Sequence, residues 1–224
     1  MFDRIAPRYD LLNRLLSLGL DRAWRRRAVA ALQLRDGARV LDVASGTGDV
    51  ALEVLRQVPG ARVDAIDPAP RMLERARRKL DRAGAGARVA LALGDAGALP
   101  YADESFDGAI VAFGVRNFPD RERALREMAR VTRPGGRVVV LELMEPRHGL
   151  LGALARFYCR RFVPAAGALL SGEREYRYLQ QSMAAFPPPA EFAQLLGRAG
   201  LSAPSVEPLT FGVSCLFVAR RPGA

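Results

Sequence analysis

A doubly wound, mostly parallel α/β sheet is the fold this sequence predicts, and two observations predict it. From residue 38 onward, short apolar runs alternate with amphipathic stretches of helical period. The runs are apolar at consecutive positions, so both faces of each strand need cover, as helices crossing over a parallel sheet provide. Ligands of such a sheet lie beyond the carboxyl ends of its strands, near the point where strand order reverses. The chemically suggestive residues of this chain fall at such ends.

Residues 38–44 (ARVLDVA) read as the first strand and 48–58 as a helix; 61–67 (ARVDAID) is the second strand. The helix that follows, 69–83, repeats Met72, Leu73, Ala76 and Leu80 at helical spacing. Residues 87–95 and 106–114 are strands three and four, and 120–133 is a helix that the breaker PGG (134–136) is expected to end. Residues 137–144 form a fifth strand. The tail supplies two more, TFGVSCLFVA (210–219) being long enough for a full strand, in the antiparallel sense. The expectation is thus a seven-stranded sheet in a single domain, 1–224, with a helical cap over 1–36 and a helical lid over 149–200.

The composition suits one globular domain: half of the 224 residues are hydrophobic and 26% are charged. No run is long enough to span a bilayer, and the first residues lack the pattern of a secretory signal, so a cytoplasmic protein is expected. Two cysteines in separate segments and one histidine argue against a disulfide framework and against a metal site. The net charge of +10 is almost entirely arginine, Lys79 being the single lysine. The arginines are scattered and no aromatic residues interleave with them, which disfavours nucleic acid as a partner. Anionic lipid remains open, as does a homo-oligomer.

The first strand runs into DVASGTGDVA, where Gly46 and Gly48 allow a tight turn and close approach of a ligand. Gly46, Gly48 and Ala51 also match the dinucleotide fingerprint, with Asp67 placed downstream to hold ribose hydroxyls. Asp49, however, stands in the first turn of the helix, where a pyrophosphate would sit. S-adenosylmethionine (SAM) carries no phosphate, and its ammonium and sulfonium are compatible with Asp42 and Asp49. Asp49 is alternatively a helix cap. Asp95, after strand three, and the Ala96 amide suit an adenine edge. SAM is favoured over NAD, and Thr47 and Ala112 complete the expected cofactor contacts.

Several segments, taken together, resemble one family: IAPRYDLLN near the N-terminus, VLDVASGTGD, GDAGALPYADESFD, FGVRNFPD, RVTRPGGRVVVLEL, YRYLQQSMAAFP and LTFGV. They are similar to the C-methyltransferases of menaquinone and ubiquinone biosynthesis, in register over nearly the whole chain. The resemblance implies a class I, Rossmann-like SAM-dependent methyltransferase acting on a demethylated polyprenyl quinol, with demethylmenaquinol favoured over the benzoquinol. A methyltransferase of another small aromatic or lipid, or a SAM-binding subunit without activity, are the alternatives.

The expected chemistry moves a methyl group from sulfonium to a ring carbon made nucleophilic by ionisation of the neighbouring hydroxyl. Arg116, always charged, is expected to polarise or order a water at that hydroxyl. Asn117 is expected to orient the ring and Tyr9 to close the site. Arg116 is a poor base, so that water, Asp67 or Asp95 would take the ring proton. The structural alternative pairs Arg116 with Asp120 or has it cap the next helix. Trp24 reads as a packing anchor, His148 as a surface histidine, and Arg25, Arg26 and Arg27 as candidates to face lipid headgroups. Residues 150–170 are amphipathic rather than spanning, because Arg156, Arg160 and Arg161 interrupt them.

Overall fold

The computed structural model describes residues 17–144 and 173–223, together with residue 14. Tyr9, His148 and the 150–170 segment lie outside the described residues. The sheet has seven strands: β1 (Arg39–Val43), β2 (Arg62–Asp67), β3 (Val89–Leu93), β4 (Phe106–Ala112), β5 (Thr132–Leu143), β6 (Ser202–Leu209) and β7 (Ser214–Arg220). Their spatial order is β3-β2-β1-β4-β5-β7-β6, with β7 antiparallel to both β5 and β6 and the other pairings parallel. The order reverses between β1 and β4, which opens a crevice above their carboxyl ends.

Six helices lie among the described residues: α1 (Leu20–Ala31), α2 (Asp49–Gln57), α3 (Pro70–Arg82), α4 (Arg121–Val131), α5 (Glu173–Ala184) and α6 (Pro189–Arg198). The strands feed two cores through the alternation of their side chains. Val40, Val63, Ile110, Val139 and Leu141 meet Trp24, Ala28, Val54, Ala76 and Leu80 of α1, α2 and α3 on one face. Leu41, Val43, Val111, Val138 and Val140 meet Leu125, Met128, Phe192 and Leu196 of α4 and α6 on the other. The near-continuous apolar runs are thereby explained: both sides of each central strand are buried.

Two expectations need correction. The 120–133 helix ends at Val131, and PGG does not terminate it but lies inside β5. The β4–β5 pairing runs from Phe106 opposite Thr132 to Gly108 opposite Arg137, so the surplus residues bulge out. Gly136 has to be glycine there, because a β-carbon would come within 2.7 Å of the Asp107 carbonyl oxygen. In the tail, Thr210–Gly212 is a 3-10 turn, and the final strand starts only at Ser214. No helix among the described residues is long and apolar enough to cross a membrane.

Phe192 of α6 stands between Phe186 (centroids 4.9 Å apart) and Phe217 of β7 (4.7 Å), and so fastens the late helices to the antiparallel end of the sheet. Phe192→Ala is expected to destabilise the fold by about 3–5 kcal/mol, read as a lowered midpoint in urea with little change in slope.

Candidate active site

The turn after β1 shapes the first half of the crevice. Gly46 and Gly48 have φ of 56° and 80°. A β-carbon at Gly48 would also touch that of Ala76 at 3.4 Å, so this glycine serves both the turn and the packing of α2 on α3. The Asp67 carboxylate, at the end of β2, accepts hydrogen bonds from the amides of Gly46 (2.8 Å) and Ala69 (2.8 Å). It thus ties the turn to the β2 end. A carboxylate offers about four acceptor sites, so one that accepts from amides can accept from hydroxyl groups of a ligand as well.

Lys79 grips the turn from α3. Its ammonium donates to Thr47 Oγ1 (3.0 Å) and to Asp49 (2.7 Å). A second cation reaches Asp49 from α1: Arg25 Nη1 lies 3.7 Å from its carboxylate and is also paired with Asp21. Asp49 makes no side-chain cap to α2, whose N-cap is Gly48. Asp49 is therefore neither cap nor free acid; it is the anchor by which two cations hold the turn. Arg25 is buried beneath the site and does not face lipid, whereas Arg26 and Arg27 are exposed and Arg27 pairs with Glu207 at 3.1 Å. Trp24 is buried, donates to Thr210 Oγ1 (2.9 Å) and meets Phe113 edge-on, as a packing anchor does.

Asp42 is the least satisfied group in the crevice. It is 1% exposed, and neither carboxylate oxygen has a hydrogen-bond partner among the described residues. Burial first, and then the Asp67 charge, push its carboxyl well above the ordinary range, against the pull of Arg25 and of the Ala51 amide, which faces it without forming a well-aligned hydrogen bond. Ser45 Oγ in the same turn is likewise buried without a partner. Unmade bonds of buried polar groups are costly, and they mark a place built for a cationic, hydrogen-bonding ligand group. The ammonium of SAM fits these acceptors.

At the β3 end, Asp95 is exposed and accepts from the Gly97 amide at 2.8 Å, which bends the chain so that buried Ala96 follows directly. Ala112 closes β4 in a half-buried position beside Leu141 of β5.

The other half of the crevice is the segment after β4. Phe113 takes a left-handed φ of 61°, and Val115–Asn117 form a 3-10 turn. Arg116 does not pair with Asp120, which instead caps α4 by accepting from the Arg123 amide at 2.9 Å. Its partner is Glu142, the next-to-last residue of β5 and 0% exposed. Arg116 Nη1 donates to Glu142 (2.5 Å) and to the Phe113 carbonyl (2.7 Å), and the Arg116 amide donates to Glu142 Oε2 (3.0 Å). Arg116 Nε is buried without a partner among the described residues. Asn117 Oδ1 accepts from the Tyr178 hydroxyl of α5 at 3.1 Å.

Sequence reasoning missed Glu142, Ser45, Tyr178, Arg25 and the role of Lys79. Two of these left a trace: Glu142 is the one charge inside the apolar run VVVLELM, and Lys79 is the only lysine in the chain.

A seven-stranded sheet in this order, a glycine turn after β1 and an acid at the end of β2 together define a class I, Rossmann-like methyltransferase fold. A SAM-dependent methyltransferase structure from Aquifex aeolicus shares it, with a TM-score of 0.64 at 18% identity over 87% of this chain and 88% of that chain. The family model described as the ubiE/COQ5 methyltransferase family matches residues 1–221, and the chain belongs to that family. The demethylmenaquinone methyltransferase of Thermus thermophilus is 49% identical over 99% of this chain and 100% of its own length. The ubiquinone/menaquinone biosynthesis C-methyltransferase UbiE of Geobacter sulfurreducens is 41% identical over 99% of this chain and 87% of its own.

Because the folded state raises the Asp42 pKa, its ionisation opposes folding above the unfolded-state value of about 4. That opposition is absent below this value and grows as the pH rises toward the folded-state pKa. Asp42→Asn is therefore expected to raise the melting temperature of the unliganded protein at neutral pH, with the gain shrinking to nothing as the pH falls below the ordinary carboxylate range.

Proposed function

We propose that this protein transfers the methyl group of SAM to a ring carbon of a demethylated polyprenyl quinol, with demethylmenaquinol as the favoured substrate. One observation carries the reading. A single edge of the sheet holds a buried carboxyl group whose oxygens make no hydrogen bond among the described residues, Asp42, and a buried cationic donor with an unused Nε–H, Arg116. The first suits a positively charged methyl donor and the second suits the oxygen of an acceptor that ionises. Membership of a family whose relatives bear the names above supports the same conclusion.

SAM, when bound, supplies an electrophilic methyl group on a cationic sulfur. Asp42 and Ser45 accept from its ammonium, and Asp67 accepts from the ribose hydroxyls while keeping its two amide bonds. Gly46, Thr47 and Gly48 bring the turn close, and Ala112 borders it from β4. Asp95 and the Ala96 amide take the adenine edge. Arg116 acts on the quinol: its guanidinium, always protonated, stabilises the phenolate that makes the neighbouring carbon nucleophilic. A fixed donor in a water-poor site is worth more than the same donor in water, because it needs no reorganisation as charge develops. Asn117, steadied by Tyr178, orients the ring. Asp67, held by the Gly46 and Ala69 amides, is given to the ribose, which leaves a water held by Arg116 as acceptor of the ring proton.

The prenyl tail requires access to lipid. Exposed Arg26 supplies positive charge for peripheral contact with anionic headgroups at the inner face of the cell membrane, whereas the charge of Arg27 is balanced by Glu207.

Calorimetry with SAM, followed by methyl transfer to short-chain demethylmenaquinol and to the benzoquinol, tests the reading. Heat of SAM binding without transfer to either quinol would refute it. Arg116→Ala is expected to leave SAM affinity within about twofold and to lower kcat by about 10²–10³-fold. SAM affinity of the unaltered protein should fall as the pH is lowered through the raised pKa of Asp42, because only the carboxylate accepts from an ammonium without competition. In Asp42→Asn that dependence disappears.

A further inference from the structure

Glu142 occupies a position where a hydrophobic residue is expected. Val138 and Val140, which share its face of β5, belong to the apolar core, and Glu142 itself is fully buried. A carboxylate taken out of water is costly unless its lone pairs are used. Here they are: it accepts from the Leu143 amide (2.8 Å), from the Arg116 amide (3.0 Å) and from Arg116 Nη1 (2.5 Å). Two of the three donors belong to Arg116, one from its backbone and one from its side chain. Glu142 therefore fixes both the 3-10 turn and the head group it carries.

The guanidinium has little freedom left. Nη1 is shared between Glu142 and the Phe113 carbonyl, the Arg116 side chain is 8% exposed, and Nε keeps an unused hydrogen. The Arg116 carbonyl is itself held by Arg121 Nη2 at 3.1 Å. A long side chain that would otherwise sample many rotamers is reduced to one orientation.

Resting on the proposed role of Arg116, we infer that Glu142 is the positioning residue of the methyl-transfer site. It holds the Arg116 guanidinium so that the unused N–H serves the ionising quinol oxygen, and it balances the charge of Arg116 until the phenolate forms. Glutamine cannot substitute: its amide nitrogen donates, and would face one of the N–H groups that Glu142 now accepts.

The test uses the full-length protein with SAM and a short-chain demethylmenaquinol. For Glu142→Gln, SAM affinity should stay within about twofold while kcat falls by about 10²-fold, as a misplaced catalytic group costs. The rising limb of kcat against pH, which reports ionisation in the bound complex, should move to higher pH because the phenolate loses its oriented donor. In the double variant with Arg116→Ala, the loss should be no greater than for Arg116→Ala alone. A profile scaled down without displacement, or losses that multiply in the double variant, would overturn the inference, since those are the marks of a structural role. If Glu142→Gln does not fold, Glu142→Asp keeps the charge and shortens the reach. It should show the same displacement with an intermediate kcat, and an undisplaced profile there would equally overturn the inference. Undiminished turnover in Arg116→Ala would remove the role of Arg116 itself. Impaired Arg116→Ala beside unimpaired Glu142→Gln would remove only the role given to Glu142.

Discussion

The grip of one carboxylate on two amides organises the crevice. Asp67 ends β2 and accepts from Gly46, in the turn after β1, and from Ala69, at the entrance to α3. The turn has left-handed residues, and this contact, together with the Ser45 amide donating to the Ile66 carbonyl at 3.1 Å, fixes it against β2. Lys79 and Arg25 complete the hold from α3 and α1 by way of Thr47 and Asp49. The compact ammonium of a lysine, with rotatable donors, can satisfy a hydroxyl and a carboxylate at once, where a planar guanidinium has a fixed fork. Three elements distant in sequence thereby converge on the turn after β1 and the first residue of α2.

Charge is distributed over the crevice with opposite sign on its two sides. The β1 side carries the buried Asp42 carboxyl, and the β4–β5 side carries a guanidinium whose Nε–H is buried without a partner among the described residues. Both are locally unfavourable: each is a polar group out of water with an unmet bond. A fold tolerates such strain where ligands relieve it, and a cationic donor with an anionic acceptor relieves both together. The packed sheet supplies the stability against which this cost is set, through two apolar cores that bury the central strands on each face.

Much of this was legible beforehand. The apolar runs located the central strands of the sheet, because burial on both faces writes itself as unbroken hydrophobicity, whereas β6 (SAPSVEPL) is largely exposed and carries no such run; Gly46, Gly48 and Asp67 stood at the predicted strand ends. Local signals failed where pairing overrode them. PGG reads as a breaker, yet the sheet absorbs it as a bulge in β5, since the flanking residues already pair with β4 and β7. The residues after Pro208 and Leu209 read as continuous strand, yet left-handed Thr210 and Phe211 form the turn that reverses the chain.

By itself the sequence determined the sheet, the glycine turn, the acid beside it and the Arg116–Asn117 pair, since periodicity, backbone demands and strand ends are local properties. Only the tertiary structure decided the partners: Glu142 for Arg116 across 26 residues, Lys79 for Asp49 across 30, Tyr178 for Asn117 across 61. It also decided that Arg25 points into the protein while Arg26 and Arg27 stay outside. A side chain's charge is written in its type, but which opposite charge it meets, and whether water reaches it, depends on how distant segments pack.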